Sequence, residues 1–299
     1  MPFITFEHAW REYRRAEHRL PAKPPQVRPE CVAGVAAVRD RFDAVVLDAW
    51  GVLNLGNQPI ARALAAVKEL RNAGVPLLVL SNDAAADKAA AVAKHRGRGY
   101  DFRAEEIIAG LDLLPETLAR LALEAPPGLI ADPPAPMQTL TGAMPALEDE
   151  PETYAQVPAV AFLSADHWTE PRQRLLRDSL IHRPRPIIVC NPDIASPETH
   201  MLNAEPGYYA HRIADETGDP PILCGKPDGA IYRKALERLG GIEPGRVLCV
   251  GDTLHTDILG ARAAGCLAML VEDGFCRGRD TLALAAECDI WPDFVAPGL

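Results

Sequence analysis

Short, unbroken apolar runs alternate with segments of helical periodicity over most of this chain. Ala44 to Leu47 is followed by a Gly-containing loop (Gly51 to Gly56) and a helix predicted over Ile60 to Arg71. A second run, Val75 to Leu80, ends at Ser81-Asn82-Asp83. The pattern returns late: Pro221-Ile-Leu-Cys-Gly-Lys226-Pro227 precedes a helix over Ala230 to Leu239, and Val247-Leu-Cys-Val250 runs into Gly251-Asp252 and a helix over Asp257 to Ala264. Further runs at Ala268 to Val271 and Ala286 to Trp291 suggest an edge strand and a closing segment. Runs of this kind indicate buried parallel strands in an α/β fold, and such sheets place their ligands at the carboxyl ends of the strands. Asp48, Ser81, Asn82, Lys226, Asp252 and Asp257 all stand at such ends.

Between the two halves the grammar changes. Residues 112–221 carry Pro and acidic residues in abundance between Pro126 and Pro158, two strand candidates (Val157 to Leu163, Pro186 to Cys190), and a Pro-rich piece, 131–151, that reads as a loop. An insertion with its own strands, flanked by halves of one sheet, reads as a cap domain. Residues 5–20 predict a helix with Trp10, Tyr13 and Ala16 near one face, ended by the prolines of 21–29. The expected division is therefore an N-terminal helical extension (1–34), a discontinuous core (35–111 and 222–299) and a cap (112–221).

Composition narrows the partners. The 299 residues carry a formal net charge of −10, which disfavours sequence-independent nucleic-acid binding and favours a small-molecule partner. No run reaches the length of a membrane span, and the N-terminus lacks the order of a signal peptide. Seven cysteines without a C-x-x-C pair argue for reduced thiols and a cytoplasmic location. Lysine is scarce, at six residues, which singles out Lys226 in its Gly-Lys-Pro turn.

Taken in order, Asp48-Ala-Trp-Gly51, Leu80-Ser81-Asn82, Gly225-Lys226-Pro227 and Gly251-Asp252-Thr-Leu-His-Thr256-Asp257 resemble the four motifs of the haloacid dehalogenase (HAD) superfamily over residues 43–295. An insertion between the second and third motifs, together with Asn191-Pro192-Asp193 after a cap strand, resembles its class IIA branch, typified by N-acetylglucosamine-metabolism and p-nitrophenyl phosphatases. The resemblance implies a Rossmann-like parallel-sheet core with an inserted α/β cap, and a Mg-dependent phosphatase of a small phosphorylated metabolite, a sugar phosphate or nucleotide. In that chemistry Asp48 attacks phosphorus to form an aspartyl phosphate. Mg²⁺ is held by Asp48, the carbonyl of Trp50 and Asp252, while Asp257 orients a water of the ion. Lys226 neutralises charge, and Ser81, Asn82 and the amides near Gly51 cradle phosphate oxygens. Asn191 and Asp193 face the site from the cap. Class IIA relatives can dimerise through the cap, and the sequence leaves the oligomeric state open.

The pattern breaks at one position. Two residues after the nucleophile the superfamily's phosphatases carry a second Asp that protonates the leaving group; here stands Trp50, whose indole transfers no proton in that way. With no lysine in 112–221, a cap-lysine Schiff base is unavailable. Substrates with good leaving groups, a substitute such as His255 or Asp193, or a phospho-ligand-binding or regulatory protein without turnover all remain open. Trp50 itself reads as packing under the cap or as a surface for substrate stacking. Arg172, Arg174, Arg177, Arg183 and Arg185 read either as receptors for a second anionic group or as a solvated helix face.

Overall fold

The computed structural model describes residues 3–132 and 144–299. Its largest sheet has seven strands in the order Glu30–Cys31, Phe294–Ala296, Leu267–Val271, Val247–Gly251, Ala44–Leu47, Leu77–Ser81, Ile107–Ala109, every pairing parallel. Successive side chains of a strand point to opposite faces, and the apolar runs serve both. Ala44, Val46, Leu78, Leu80, Val247 and Cys249 join one buried cluster. Their neighbours Val45, Leu47, Leu77, Val79, Leu248 and Val250 join another. A sheet covered on both faces needs continuous apolar strands rather than alternating ones, which is why the runs were visible.

Three expectations are corrected. The strand before Lys226, Ile222–Leu223, belongs to a second sheet, beside Ile187–Val189, Val160–Phe162 and Gly128–Ile130, again all parallel. A run of two apolar residues carries no information about which sheet it joins. The segment Ala286 to Trp291 adds no strand: Thr281–Cys288 is a helix, capped by the Asp280 carboxylate on the Ala283 amide and ended by Asp289 at φ 53°. The closing strand is Phe294–Ala296. The helix expected from Asp257 begins instead as a π-helical turn, Leu254–Ile258, continuing as Leu259–Ala263. Of the Pro-rich piece 131–151, residues 133–143 lie outside the described residues, and Pro151–Gln156 is helical.

The described N-terminal residues form a short strand and a helix that pack on the body. Phe3–Ile4 pairs antiparallel with Leu202–Ala204, which pairs in turn with Ala195–Pro197. The helix Phe6–Ala16 starts at Thr5, whose hydroxyl accepts from the His8 amide, and buries Ala9, Trp10, Tyr13 and Ala16. Tyr13 stacks on His255 at 5.0 Å, and Phe6 meets Phe275 at 5.1 Å. The Tyr13 hydroxyl also accepts a hydrogen bond from the Ile194 amide at 3.1 Å. Arg15 and Arg19 both pair with Asp215, on the helix Pro206–Thr217. One helix thus touches the loop after Val247–Gly251 and the turn at Asn191–Asp193. Among the described residues no helix is long and apolar enough to cross a membrane, and all seven cysteines are free.

Candidate active site

Asp48 follows the strand Ala44–Leu47 and Asp252 follows its neighbour, the central strand Val247–Gly251, so parallel pairing sets the two carboxylates side by side. The Asp48 amide donates to the Val250 carbonyl at 2.9 Å. Lys226 Nζ donates to Asp48 Oδ1 at 2.5 Å and to Asp257 Oδ1 at 2.7 Å, with its side chain 3% exposed. The Lys226 backbone is held as well: its amide donates to Asn82 Oδ1 at 2.8 Å, and its carbonyl accepts from Asn82 Nδ2 at 3.2 Å. Gly225 is required there, because a Cβ would stand 2.6 Å from Asn82 Oδ1 and from Pro192 Cδ.

Asp252 and Asp257 are fixed by different donors. Asp252 accepts from the Phe275 amide at 2.6 Å and the Thr253 hydroxyl at 2.8 Å. Asp257 accepts from the Thr253 amide at 3.1 Å and from Lys226. Ligand oxygens of Asp48, Asp252 and Asp257 lie within 4.8 Å of one another, all three residues buried. Burial raises the Asp48 carboxyl well above its ordinary value despite Lys226. Burial, then repulsion from Asp257, pushes Asp252 up to about 7. Three buried carboxylates against one ammonium leave negative charge uncompensated, and hard oxygen donors at this spacing fit a divalent cation such as Mg²⁺.

Gly51 enters this arrangement through the atom it lacks. It sits at φ 82°, and a Cβ would come within 1.7 Å of Asp252 Oδ2. Its amide, expected to face phosphate, donates instead to the Asn54 carbonyl at 2.7 Å in the turn that opens the hairpin Asn54–Leu55/Gln58–Pro59. Ser81 ends the strand Leu77–Ser81, and its Oγ accepts from the Asp83 amide at 3.1 Å. Asn82 reaches the other side of the site, where its Nδ2 donates to Asp193 Oδ1 at 3.0 Å.

A cavity of about 300 Å³ opens over these groups, lined by Asp48, Ser81, Asn82, Asn191 and Asp193 among others. Asn191 and Asp193 follow the strand Ile187–Val189; the Asn191 side chain accepts from the Asp193 amide at 3.2 Å and donates to Glu205 at 2.9 Å. Trp50 lines the cavity half-buried, with the Arg98 guanidinium 5.4 Å from its ring centroid. Trp50 also packs against the buried cluster that contains Leu47 and Leu53.

His255 does not reach the mouth. It is fully buried under the N-terminal helix, bonded through Nε2 to Glu17 at 3.0 Å and enclosed by Trp10 and Tyr13. The wide turn at Leu254–Ile258 directs it away from the carboxylates, which loop spacing alone could not reveal. The cap arginines are also occupied elsewhere: Arg172 pairs with Asp149, Arg177 with Asp178, and Arg183 and Arg185 bind carbonyls around Tyr154 and Val157. None of them, nor Arg174, lines the cavity. Sequence reasoning missed Arg98 and Glu205. Arg98 follows the helix Lys88–Gly97 and Glu205 precedes Pro206–Thr217, ordinary positions for exposed charge, and only tertiary folding turns them inward.

Comparison with known proteins agrees with this geometry. A haloacid dehalogenase-like hydrolase family model matches residues 45–126, and a HAD-hydrolase-like model matches 223–299. The chain is 25% identical over 249 residues to haloacid dehalogenase-like hydrolase domain-containing protein 2 of Rattus norvegicus, covering 82% of this chain and 89% of that protein. The structure of a possible sugar phosphatase of the HAD superfamily from Cytophaga hutchinsonii superposes with a TM-score of 0.79 at 21% identity, over 91% of this chain and 98% of the other. The p-nitrophenyl phosphatase from Archaeoglobus fulgidus gives 0.69 at 21% identity, over 86% and 96%. The matched family segments flank the inserted sheet and carry all four motifs: the chain belongs to the haloacid dehalogenase superfamily.

Proposed function

We propose that this protein is a Mg²⁺-dependent phosphatase of small phosphorylated metabolites, with Asp48 as nucleophile and residues 112–221 as the cap over its substrate. The observation that carries the reading is the buried constellation in which Lys226 ties Asp48 to Asp257 while Asp252 stands within ligand distance of both. The phosphatases among its structural neighbours support the reaction class, and the sugar-phosphatase description of one of them supports a sugar phosphate as substrate.

The ion would be held by Asp48, Asp252 and the Trp50 carbonyl, and it would supply positive charge that lets an anionic carboxylate approach an anionic phosphate. The rest is done by the chain. Asp48 attacks phosphorus in line, giving an aspartyl phosphate and the free alcohol, and water then releases inorganic phosphate. Lys226 stays protonated, since Asp257 and Asp48 outweigh its burial, and its charge offsets that gathering on the transferred group. Ser81 and Asn82, which line the cavity, would receive phosphate oxygens. The size of that cavity suits a small ester rather than a macromolecule. Phosphate release from a panel of esters by the unaltered chain and by Asp48→Asn tests the proposal: release that depends on Asp48 supports it, and its absence from every ester rejects it.

A further inference from the structure

In the phosphatase reading, on which this inference rests, the leaving oxygen lies opposite Asp48 across phosphorus. A proton donor must therefore come from the far wall of the cavity. Trp50, in the position where such an acid is expected, has none to give. Asp193, presented from the inserted sheet by the turn after Ile187–Val189, lines the same cavity as Asp48.

Several carboxyls line the cavity, but their connections differ. Asp83 holds Lys94 at 2.8 Å and the Ala85 amide at 3.0 Å. Glu205 has both oxygens engaged, by Ser196 and Asn191. Glu198 accepts from Asn203 at 3.2 Å. Of Asp83, Glu198, Glu205 and Asp193, Asp193 bonds to Asn82, whose other amide atom holds the Lys226 backbone, and Lys226 holds Asp48. Asp193 is thereby linked to the nucleophile through two residues. The Asn82 amide and the Thr256 hydroxyl both bond to the Asp193 carboxyl; the Thr256 hydroxyl, which can accept as well as donate, can turn to leave the acid's O–H for a ligand. Tyr13 adds a support, since its hydroxyl holds the next amide, that of Ile194.

We infer that Asp193 is the general acid that protonates the leaving oxygen, replacing the group absent at Trp50. As the Asp48 oxygen bonds to phosphorus and the ester P–O bond breaks, the Asp193 proton passes to the departing oxygen and the alcohol leaves. Water then gives a proton to the Asp193 carboxylate while its oxygen attacks phosphorus and the bond to Asp48 breaks. Inorganic phosphate is released and both residues return to their starting state. Burial pushes the Asp193 carboxyl up to about 6 against the pull of Lys226, with Asp257 adding repulsion; Asp48, Glu205 and Tyr13 are the other titratable groups near it. Acid and conjugate base thus both exist near neutrality, as a proton shuttle requires.

The test is the dependence on leaving group. With Asp193→Asn and Mg²⁺, kcat/KM for an alkyl ester such as glycerol phosphate should fall by about 10² to 10⁴, the usual worth of a positioned acid. For p-nitrophenyl phosphate, whose leaving group needs no proton, it should fall less than about tenfold. The second ester should also give a burst of nitrophenolate, because the variant forms the aspartyl phosphate and hydrolyses it slowly. Asp193→Ser must show the same contrast, and adding Trp50→Asp should restore the alkyl ester. Equal losses on both esters, or no loss on the alkyl ester, overturn the inference while leaving the phosphatase reading intact. No Asp48-dependent release from either ester by the unaltered chain overturns both.

Discussion

Replacing Lys226 by methionine isolates the electrostatic core of the site. The substitution keeps the length and apolar stem of the side chain, so packing changes little, while the ammonium that bridges Asp48 and Asp257 at 2.5 and 2.7 Å disappears. Those carboxylates are 10% and 7% exposed, so water cannot replace the lost partner. Removing one member of a buried pair costs about 3 to 5 kcal/mol, because the remaining charge stays desolvated. Against the roughly 5 to 15 kcal/mol typical of a folded domain, that is a large share. The backbone bonds between Lys226 and Asn82 survive the change, which keeps the loss near the lower figure. Urea unfolding at neutral pH, in the presence of a chelator and followed by tryptophan fluorescence, measures it. Adding Asp257→Asn removes one stranded carboxylate, and the double variant should be more stable than the sum of the single effects predicts. A loss under about 1 kcal/mol for Lys226→Met, or strict additivity in the double variant, would refute the view of this lysine as a desolvated counter-charge.

Other consequences are equally open to measurement. Gly51→Ala forces a side chain into a left-handed conformation and against Asp252; we expect a loss of at least about 1 to 2 kcal/mol from the backbone alone, and a chelator-independent loss of Mg²⁺ binding by calorimetry. Trp10 is 7% exposed and donates to Glu287 at 3.0 Å, so Trp10→Ala should cost roughly 3 to 5 kcal/mol; a surface-like effect would mean that the N-terminal helix is not part of the folded body. Burial, reinforced by Arg19, lowers His211 to about 4, below its unfolded value. The unfolded chain therefore binds the extra proton, and stability present at pH 7 declines as pH falls through that window. The decline is roughly 2 kcal/mol from this residue by pH 5, and His211→Gln should flatten the pH dependence of the urea midpoint.

The parts of the fold that were legible in the sequence are those in which a single local rule suffices. Buried parallel strands need continuous apolar residues, so Ala44–Leu47, Leu77–Ser81 and Val247–Gly251 announced themselves, and with them the polar residues at their ends. The N-terminal helix was equally plain, because Trp10, Tyr13 and Ala16 share one face. Ile107–Ala109 was not anticipated: three residues against the helix Gly229–Arg238 are too few to show a period. Ile222–Leu223 was assigned to the wrong sheet because pairing is a long-range choice. His255 shows the same limit at the level of one side chain. Its spacing from Asp252 was right, but the hand of the intervening turn and the helix that covers it, some 240 residues earlier in the chain, decide where it points. Conversely, the absence of an acid at Trp50 was legible from the start, as was Asp193 as one candidate substitute; what the sequence could not give are the bonds that link Asp193 to Lys226 through Asn82.

The central claim is that Asp48 becomes phosphorylated during turnover. Acid-quenching the protein during hydrolysis of p-nitrophenyl phosphate with Mg²⁺, followed by peptide mapping by mass spectrometry, tests it directly. The account predicts an acid-stable, base-labile phosphoryl group on the peptide containing Asp48, absent from Asp48→Asn. Hydrolysis that proceeds with no phosphoryl group on that peptide, or with one on another residue, would contradict it.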